Sequence, residues 1–157
     1  MSTVATDLVC RTSDRDFGPP GLAAGATPEP QLAAGNEKTT CGYWQGVYAN
    51  REAVRLPSGK GVAVRDTQRL FRRYVSPGAS VLEIGCAPGI WLTWLATSLG
   101  AEVSGLDYSE QGLGLAERLF RTHGVRGDLR CEDAFATTFS PGSFDVVYSL
   151  GVIEHFE

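Results

Sequence analysis

The C-terminal part of this 157-residue sequence predicts an α/β fold with a doubly wound, mostly parallel sheet. Two observations predict it. Short apolar runs with β propensity alternate with longer amphipathic runs that are typical of helices, and turn residues separate them. In this pattern each helix connects two strands across the face of the sheet, so that the second strand runs parallel to the first. The length and the ordinary composition, 43% hydrophobic and 20% charged, favour a single domain.

The predicted elements follow in regular order from residue 77 onward. SVLEIG and AEVSGLD predict the first two strands, and DLRCED and SFDVVYSLG predict the third and the fourth. GIWLTWLATSLG predicts a helix that ends at Gly100. SEQGLGLAERLFRTHG predicts a second crossover helix, which Ser109 caps and Gly124 ends. We therefore expect residues 77–157 to hold the first four strands of the sheet and their crossover helices.

The sequence stops at Glu157, shortly after the fourth predicted strand. Open sheets of this class usually have more strands, so we expect a domain that is truncated after the fourth. DVVYSL would then form an exposed apolar edge, and such edges tend to pair with other chains. We therefore expect self-association through the edge of the fourth strand.

Two different segments precede the predicted sheet. Residues 1–40 are rich in Gly, Ala, Pro and Thr and offer little to bury, so we expect a disordered N-terminal tail. Residues 41–157 then form the incomplete domain, in which residues 41–76 carry two helices. The apolar residues Tyr43 and Val47 recur at helical spacing in the first of these helices.

The second N-terminal helix is predicted by VRDTQRLFRRYV, with a buried stripe of Leu70, Phe71 and Tyr74. Its arginines suit either a phosphate-binding patch or a solvated helix face, and the nearby acid Asp66 favours the solvated face. These arginines are Arg65, Arg69, Arg72 and Arg73.

The net charge, the cysteines and the absence of long apolar runs narrow the partners, metal sites and location that we expect. The net charge of −4 makes a nucleic-acid partner unlikely on electrostatic grounds. The four cysteines lie far apart with no CxxC pair, which predicts free thiols and no metal site. No signal peptide or membrane-spanning run is present in the sequence, so we expect a soluble cytoplasmic protein.

A ligand is expected at the carboxyl ends of the strands, beside the first strand-to-helix turn. Gly85, Ala87 and Gly89 are small there, so that backbone N–H groups can approach a ligand closely. A dinucleotide-binding turn, GxGxxG, requires glycine at position 90, but Ile90 stands there, which argues against an NAD-dependent oxidoreductase. Asp107 ends the second strand about 20 residues after Gly85, where an acid that binds a ribose is expected.

The turn has the pattern E-x-G-x-A-x-G, and GLDYS, CEDAF and FDVVYSLGVIEHF follow it in order. This series resembles the motifs of class I S-adenosylmethionine-dependent methyltransferases of the type 11 kind, over about Tyr43 to Glu157. The resemblance implies a Rossmann-like fold and S-adenosylmethionine as the cofactor. The cofactor-binding residues that follow from the motifs are Glu83, Gly85, Cys86, Ala87, Gly89, Asp107, Tyr108, Asp133, Ala134 and Leu150.

The resemblance also implies individual roles. Glu83 orients the turn and reaches towards the amino group of the cofactor, directly or through water. Cys86 contributes its backbone, and Asp133 meets the adenine amino group. A second interpretation of Asp133, in which the acid caps its own turn, stays open.

Methyl transfer mainly requires that the donor and acceptor are aligned, and a base helps only where the acceptor carries a proton. His155 and Glu154 are the candidates for that base, although both also suit a structural role. We expect an unidentified acceptor, with a small molecule favoured. The alternative is a non-catalytic cofactor-binding fragment or pseudoenzyme that associates through its open sheet edge.

The aromatic residues have two interpretations. Tyr43, Trp44 and Tyr48 in the first helix either form a lid over the cofactor or simply pack the helix onto the domain. Trp91 and Trp94, in the helix after the glycine turn, are expected to be core residues rather than a platform for the cofactor.

Overall fold

The computed structural model describes residues 10–11, 40–49, 51, 54–152 and 155. The rest of the chain, including most of the predicted tail, lies outside these ranges. The elements in chain order are β1 (Cys10–Arg11), α1 (Cys41–Ala49), α2 (Val62–Tyr74), β2 (Ser80–Ile84), α3 (Ile90–Leu99), β3 (Glu102–Asp107), α4 (Glu110–His123), β4 (Gly127–Cys131) and β5 (Val146–Ser149).

The sheet has the strand order β1-β5-β2-β3-β4. The four strands predicted from the sequence, β2 to β5, run parallel to one another. The chain runs outward from β2 through β3 to β4 and then returns to the other side of β2 with β5. The strand order therefore reverses at β2, and the crevice beyond the end of this strand is where a doubly wound sheet places its ligand.

The edge of β5 differs from the expectation. Cys10 and Arg11 form a two-residue strand that pairs antiparallel with Val147 and Val146. These two residues were expected to belong to a disordered tail, and this edge was expected to be open, so both expectations are wrong at these positions. The pairing uses backbone groups, which accept any extended segment whatever its side chains. A tail of low hydrophobicity can therefore still add a short strand.

The predicted crossover helices are confirmed, including their ends. α3 ends at Gly100, and α4 begins after Ser109, whose Oγ accepts a hydrogen bond from the Gly112 N–H at 3.2 Å. α4 ends at Gly124, as predicted. These ends are set by local capping chemistry, which is why the sequence alone locates them.

The core lies between the sheet and the helices that cover it, and one aromatic cluster marks its centre. The ring of Phe71 lies 4.8 Å from that of Tyr148 and 5.5 Å from that of Trp91. Trp94 is 6% exposed and completes the cluster. The interpretation of Trp91 and Trp94 as core residues is therefore confirmed.

α2 packs through one face only. Phe71 is buried and the predicted stripe residues Leu70 and Tyr74 are half-buried, while Gln68 is buried as well. The four arginines of the helix are exposed, and Arg69 forms an ion pair with Asp66 at 3.1 Å. Exposed arginines fit a solvated helix face and a phosphate-binding patch equally, so the solvated face stays a prediction.

Candidate functional site

A cavity opens at the carboxyl ends of the parallel strands, beside the point where the strand order reverses. Seven of the predicted cofactor-binding residues line it: Gly85, Ala87, Asp107, Tyr108, Asp133, Ala134 and Leu150. His155 lines it too, whereas Glu154 lies outside the described residues. The structure therefore brings together residues from four separate motifs of the sequence.

The β2–α3 turn, residues 85–89, forms the floor of this cavity. The backbone N–H groups of Gly85 and Cys86 both donate to the Leu106 carbonyl oxygen, at 2.8 and 3.1 Å. Gly85 has φ 72°, and a Cβ built on it would lie 2.2 Å from Val152 Cγ2. Both the backbone conformation and the close approach therefore favour glycine at this position.

Gly89 does not line the cavity, because it lies at the other end of the turn, against α4. Its φ is 83°, and a Cβ there would lie 2.7 Å from Ala116 Cβ and 2.9 Å from Ala116 Cα. The backbone atom cannot move aside without shifting α4. Gly89 thus allows α3 and α4 to approach each other closely, a packing role beside the cofactor-binding role that the motif implied.

Asp107 joins the turn to the start of α4. It is 7% exposed, and its Oδ2 accepts from the Ala87 N–H at 3.0 Å while its Oδ1 accepts from the Ser109 N–H at 2.9 Å. Burial raises the pKa of the Asp107 carboxyl, and these backbone donors oppose the rise. Each carboxylate oxygen retains a second lone pair, so the group can still accept hydrogen bonds from a ligand in the cavity.

Glu83 lies beneath the cavity rather than in its lining. It is 3% exposed and stands beside Tyr148 in the parallel register of β2 and β5. Within the described residues, neither Glu83 Oε2 nor the Tyr148 hydroxyl has a hydrogen-bond partner of good geometry. Burial raises the pKa of Glu83 well above its ordinary range and does the same to Tyr148. The carboxyl group of Glu83 is therefore not positioned to contact a ligand in the cavity directly.

Cys86 is also absent from the lining. Its side chain is 2% exposed and points into the core, where a Cβ on Gly105 would lie only 2.6 Å from its sulfur. Burial raises the pKa of the Cys86 thiol, and the nearby Glu83 adds to the rise. The thiol is thus an inert core group, and only the backbone of Cys86 belongs to the turn.

The loop after β4, residues 132–139 (the β4 loop), forms one side of the cavity rim. Asp133 Oδ1 accepts from the Phe135 N–H at 2.9 Å, so this acid caps its own turn and also lines the cavity. Glu132 accepts from the Thr137 hydroxyl at 2.8 Å, from the Thr138 N–H at 2.9 Å and from the Thr138 hydroxyl. Although burial acts in the opposite direction, these hydrogen bonds hold the pKa of Glu132 below its ordinary value.

α1 forms another part of the rim. Trp44 and Tyr48 line the cavity, whereas Tyr43 is 56% exposed and does not. The Tyr48 hydroxyl donates to the Ala87 carbonyl oxygen at 3.0 Å. Burial, reinforced by the negative charge of Asp107, raises the pKa of Tyr48 to about 12, so the phenol remains a donor.

α1 is held in this position by packing as well as by the cavity. Gln45 Oε1 accepts from the Gln111 N–H at 3.1 Å and from the Ser109 hydroxyl at 3.4 Å, at the start of α4. The Trp44 ring lies 5.1 Å from the His155 ring at an angle of 84°. α1 therefore borders the cavity through Trp44 and Tyr48 and also packs onto the domain through Gln45, so the two interpretations of this helix are compatible.

The sequence did not single out every lining residue. Those it missed are Ile84, Leu106, Glu132, Gly151 and Val152. All of them adjoin a motif residue in sequence, at the end of a strand or just after it. That adjacency is the signal that could have found them, because the carboxyl ends of parallel strands meet at one edge of the sheet.

None of the helices described combines the length and apolarity needed to cross a membrane. Among the same residues, no three His, Cys, Asp or Glu side chains gather in a way that could hold a metal ion.

Comparisons with known proteins point to one family. Residues 81–157 match the family model described as a methyltransferase domain. A ubiquinone biosynthesis O-methyltransferase from Sinorhizobium medicae is 40% identical over 78 residues, which cover 50% of this chain and 31% of that protein. The protein of the same name from Paraburkholderia xenovorans is 41% identical over 80 residues, covering 50% and 34%. The chain thus spans about a third of the length of these curated relatives.

A similar fold is found among solved structures. A methyltransferase from Thiobacillus denitrificans, whose structure contains S-adenosyl-L-homocysteine, superposes with a TM-score of 0.53 at 23% identity. The match covers 69% of this chain and 42% of that one. It confirms the predicted α/β fold with its parallel sheet.

Proposed function

We propose that this chain, which belongs to the methyltransferase family through residues 81–157, binds S-adenosylmethionine in the cavity and takes part in methyl transfer to a small-molecule hydroxyl. The observation that carries the proposal is the position of Asp107. It ends the second parallel strand, lines the cavity and is bonded to the turn that forms the cavity floor. A carboxylate held there is placed to accept hydrogen bonds from the two hydroxyls of a ribose.

The remaining lining residues fit the other parts of the cofactor. Asp133 and Ala134 would border the adenine, since both lie at the end of the strand next to β3. The backbone of Gly85 and Ala87 would lie along the methionine part, above the buried carboxyl of Glu83. Because Glu83 Oε2 has no partner of good geometry among the described residues, a water between it and the amino group of the cofactor would satisfy it.

The chemistry asked of the protein is modest. S-adenosylmethionine supplies an activated methyl group on a sulfonium, and in-line displacement requires alignment above all. Trp44, Tyr48 and Leu150 provide an apolar boundary that would hold an acceptor and exclude water. His155 is a described side chain suited to take the proton of an acceptor hydroxyl, because its ring lines the cavity and a ring nitrogen can accept a proton.

The hydroxyl acceptor is suggested by the names of the relatives, which are O-methyltransferases of ubiquinone biosynthesis. The turn would hold the cofactor for any acceptor, so the class of acceptor rests on this similarity and on the apolar boundary that Trp44, Tyr48 and Leu150 form.

Calorimetric titration with S-adenosylhomocysteine tests the cofactor assignment. We expect binding to the unmodified chain and a loss of roughly 10- to 100-fold in affinity for Asp107→Asn, since hydrogen bonds to a charged group are removed. Asp66→Asn, which makes the same change on the exposed face of α2, is the matched control and should bind normally. Equal affinity of the Asp107 variant and the control would contradict the assignment.

A ligand series makes the same test without a substitution that disturbs the turn. Adenosine should stabilise the unmodified chain against thermal unfolding, and an adenosine analogue lacking both ribose hydroxyls should do so much less. Stabilisation by NAD but not by S-adenosylhomocysteine would overturn the proposal. The alternative is a non-catalytic fragment. A single-turnover methyl-transfer assay and size-exclusion chromatography test it, because a chain that is monomeric and active would exclude this alternative.

A further inference from the structure

Two thiols from distant parts of the chain converge on one backbone oxygen at the cavity rim. Cys41 Sγ donates to the Tyr108 carbonyl oxygen at 3.3 Å, and Cys131 Sγ reaches the same oxygen at 3.8 Å. Cys41 is the first residue of α1, and Cys131 is the last residue of β4. The two sulfurs are therefore at most about 7 Å apart, and Cys41 is close enough to influence the pKa of the Cys131 thiol.

The two thiols differ from Cys86 in their access to solvent. Cys131 is exposed and Cys41 is half-buried, whereas Cys86 is buried in the core. A dissolved oxidant therefore reaches Cys131 first and has no path to Cys86. Burial, followed by the nearby acid Glu110, raises the pKa of the Cys131 thiol, so its oxidation is slow at neutral pH and faster in alkaline solution.

We propose that Cys41 and Cys131 form a disulfide under oxidising conditions and that this bond fastens α1 to the end of β4. With hydrogen peroxide as the oxidant, the Cys131 thiolate attacks one peroxide oxygen and becomes a sulfenic acid as hydroxide leaves. The Cys41 thiolate then attacks that sulfur, and the sulfenic oxygen leaves as hydroxide, which takes up a proton as water. Overall, two thiols lose two electrons and two protons, and one peroxide becomes two waters.

The surroundings favour this bond over other fates of the sulfenic acid. A disulfide requires the sulfurs to come within about 2.05 Å of each other, and its formation removes the S–H group that Cys41 donates to the Tyr108 oxygen. Each cysteine stands at the end of its element, where a change of side-chain rotamer needs little movement of the backbone. α1 is already held on the same side by Gln45 and Tyr48, so the cysteines stay together while the bond forms.

Peptide mapping of the full chain tests the bond directly. After treatment with peroxide and alkylation of the remaining thiols, trypsin should release residues 39–51 joined to residues 131–157. We expect this pair to be about 2 Da lighter than the sum of the two reduced peptides, and to disappear on reduction. Recovery of residues 39–51 with Cys41 alkylated, beside an over-oxidised or intermolecular Cys131, would overturn the proposal.

Variants separate this pair from other cysteine chemistry. Cys41→Ser and Cys131→Ser should each abolish the cross-linked peptide, and Cys10→Ser should leave it unchanged. The unmodified chain and Cys10→Ser should also gain thermal stability on oxidation, because the bond closes a long loop in the unfolded chain. No such gain is expected for Cys41→Ser, and an equal gain there would contradict the assignment to this pair.

The functional consequence rests on the proposed cofactor site. Fastening α1 beside Tyr108, which lines the cavity, should slow the dissociation of S-adenosylhomocysteine severalfold in the oxidised chain. Oxidised Cys41→Ser is the control and should release it at the reduced rate. If the reduced chain binds no S-adenosylhomocysteine, the proposed function is refuted. The peptide map still tests whether the disulfide forms. If the disulfide forms and dissociation is unchanged, its effect on the cavity is refuted.

Discussion

The floor and the rim of the cavity each contain a carboxylate that accepts several hydrogen bonds, yet the two acids behave in opposite ways. Asp107 on the floor is 7% exposed, and burial raises its pKa even though backbone N–H groups stabilise its charge. Glu132 on the rim is half-buried, and the hydrogen bonds from Thr137 and Thr138 lower its pKa. Burial therefore outweighs the hydrogen bonds at Asp107, whereas at Glu132 the hydrogen bonds together outweigh the burial.

The same contrast extends to how each region is built. The floor is held by main-chain groups and by close contacts such as Gly89 against Ala116, so its shape is part of the core. The rim is held by side chains that are partly in water, including Thr138 and Tyr48. Changes to the floor should therefore alter the stability of the whole domain, and changes to the rim should act locally.

The largest effect is expected from Gly89→Ala. The new Cβ would meet the backbone of α4 at 2.9 Å, and the left-handed conformation adds strain, so we expect a loss of roughly 2–5 kcal/mol in the free energy of unfolding. Urea denaturation measures it. Gly114→Ala in α4, where a Cβ meets nothing closer than Arg118 at 3.9 Å, should instead be neutral or stabilising. Equal losses of unfolding free energy in both variants would contradict the claim that the floor of the cavity is part of the core.

Glu83→Gln tests the buried acid beneath the floor. Its raised pKa means that the folded state holds a proton that the unfolded state releases above pH 4.5. The stability of the unmodified chain should therefore fall relative to Glu83→Gln as the pH rises above this value. The slope should reach at most about 1.4 kcal/mol per pH unit until the folded pKa is passed.

Urea titrations at several pH values between 4.5 and 8 measure this difference. Glu102→Gln, a change at an exposed acid of β3, is the control and should follow the unmodified chain throughout. Parallel stability curves for the unmodified chain and Glu83→Gln would show that Glu83 is charged at low cost, contrary to this account of the floor.

Tyr48→Phe acts where the rim touches the floor. It removes one hydrogen bond to the Ala87 carbonyl oxygen, so we expect a loss of about 1 kcal/mol in unfolding free energy. Because the pKa of Tyr48 is about 12, the loss should be constant from pH 5 to pH 9. Thermal unfolding beside Tyr43→Phe, which changes an exposed ring on the same helix, checks both points. A loss that varies across this range would assign the effect to another group.

The smallest effect is expected from Glu132→Gln. The lowered pKa means that the ionised carboxylate stabilises the β4 loop above the ordinary pKa of a glutamate, and this contribution disappears as the pH falls through the folded value. Since the group is near solvent, the change in unfolding free energy should stay below about 1 kcal/mol. Hydrogen exchange at the Thr138 amide should nevertheless accelerate at pH 7, with little change in the core strands. Unaltered exchange there would show that Glu132 does not hold the loop.

Much of this structure was predictable because its signals are local. The parallel strands, the crossover helices and the caps at Ser109 and Gly124 depend on short patterns, and the structure confirms them. The cavity-lining position of Asp107 follows from the rule that strand ends meet at one edge. Its function there remains a prediction.

Other features depend on contacts between distant residues, which spacing does not reveal. Glu83 belongs to the motif, but strand alternation places it beside Tyr148 and beneath the cavity. The pairing of β1 with β5 uses backbone groups and leaves no pattern in the side chains. Cys41 and Cys131 meet only because α1 folds back over the ends of the strands.

Ala87 has both of its main-chain groups occupied: its N–H by the Asp107 carboxylate and its carbonyl oxygen by the Tyr48 hydroxyl. Its side chain faces Gly112, where there is no room for a larger pair of residues. The shape of the turn thus depends on its main-chain hydrogen bonds. The side chain at position 87 is limited by the small space beside Gly112 and not by a need for a functional group. This explains how a turn that carries cysteine, alanine and proline between two glycines can be held in shape by its main-chain hydrogen bonds.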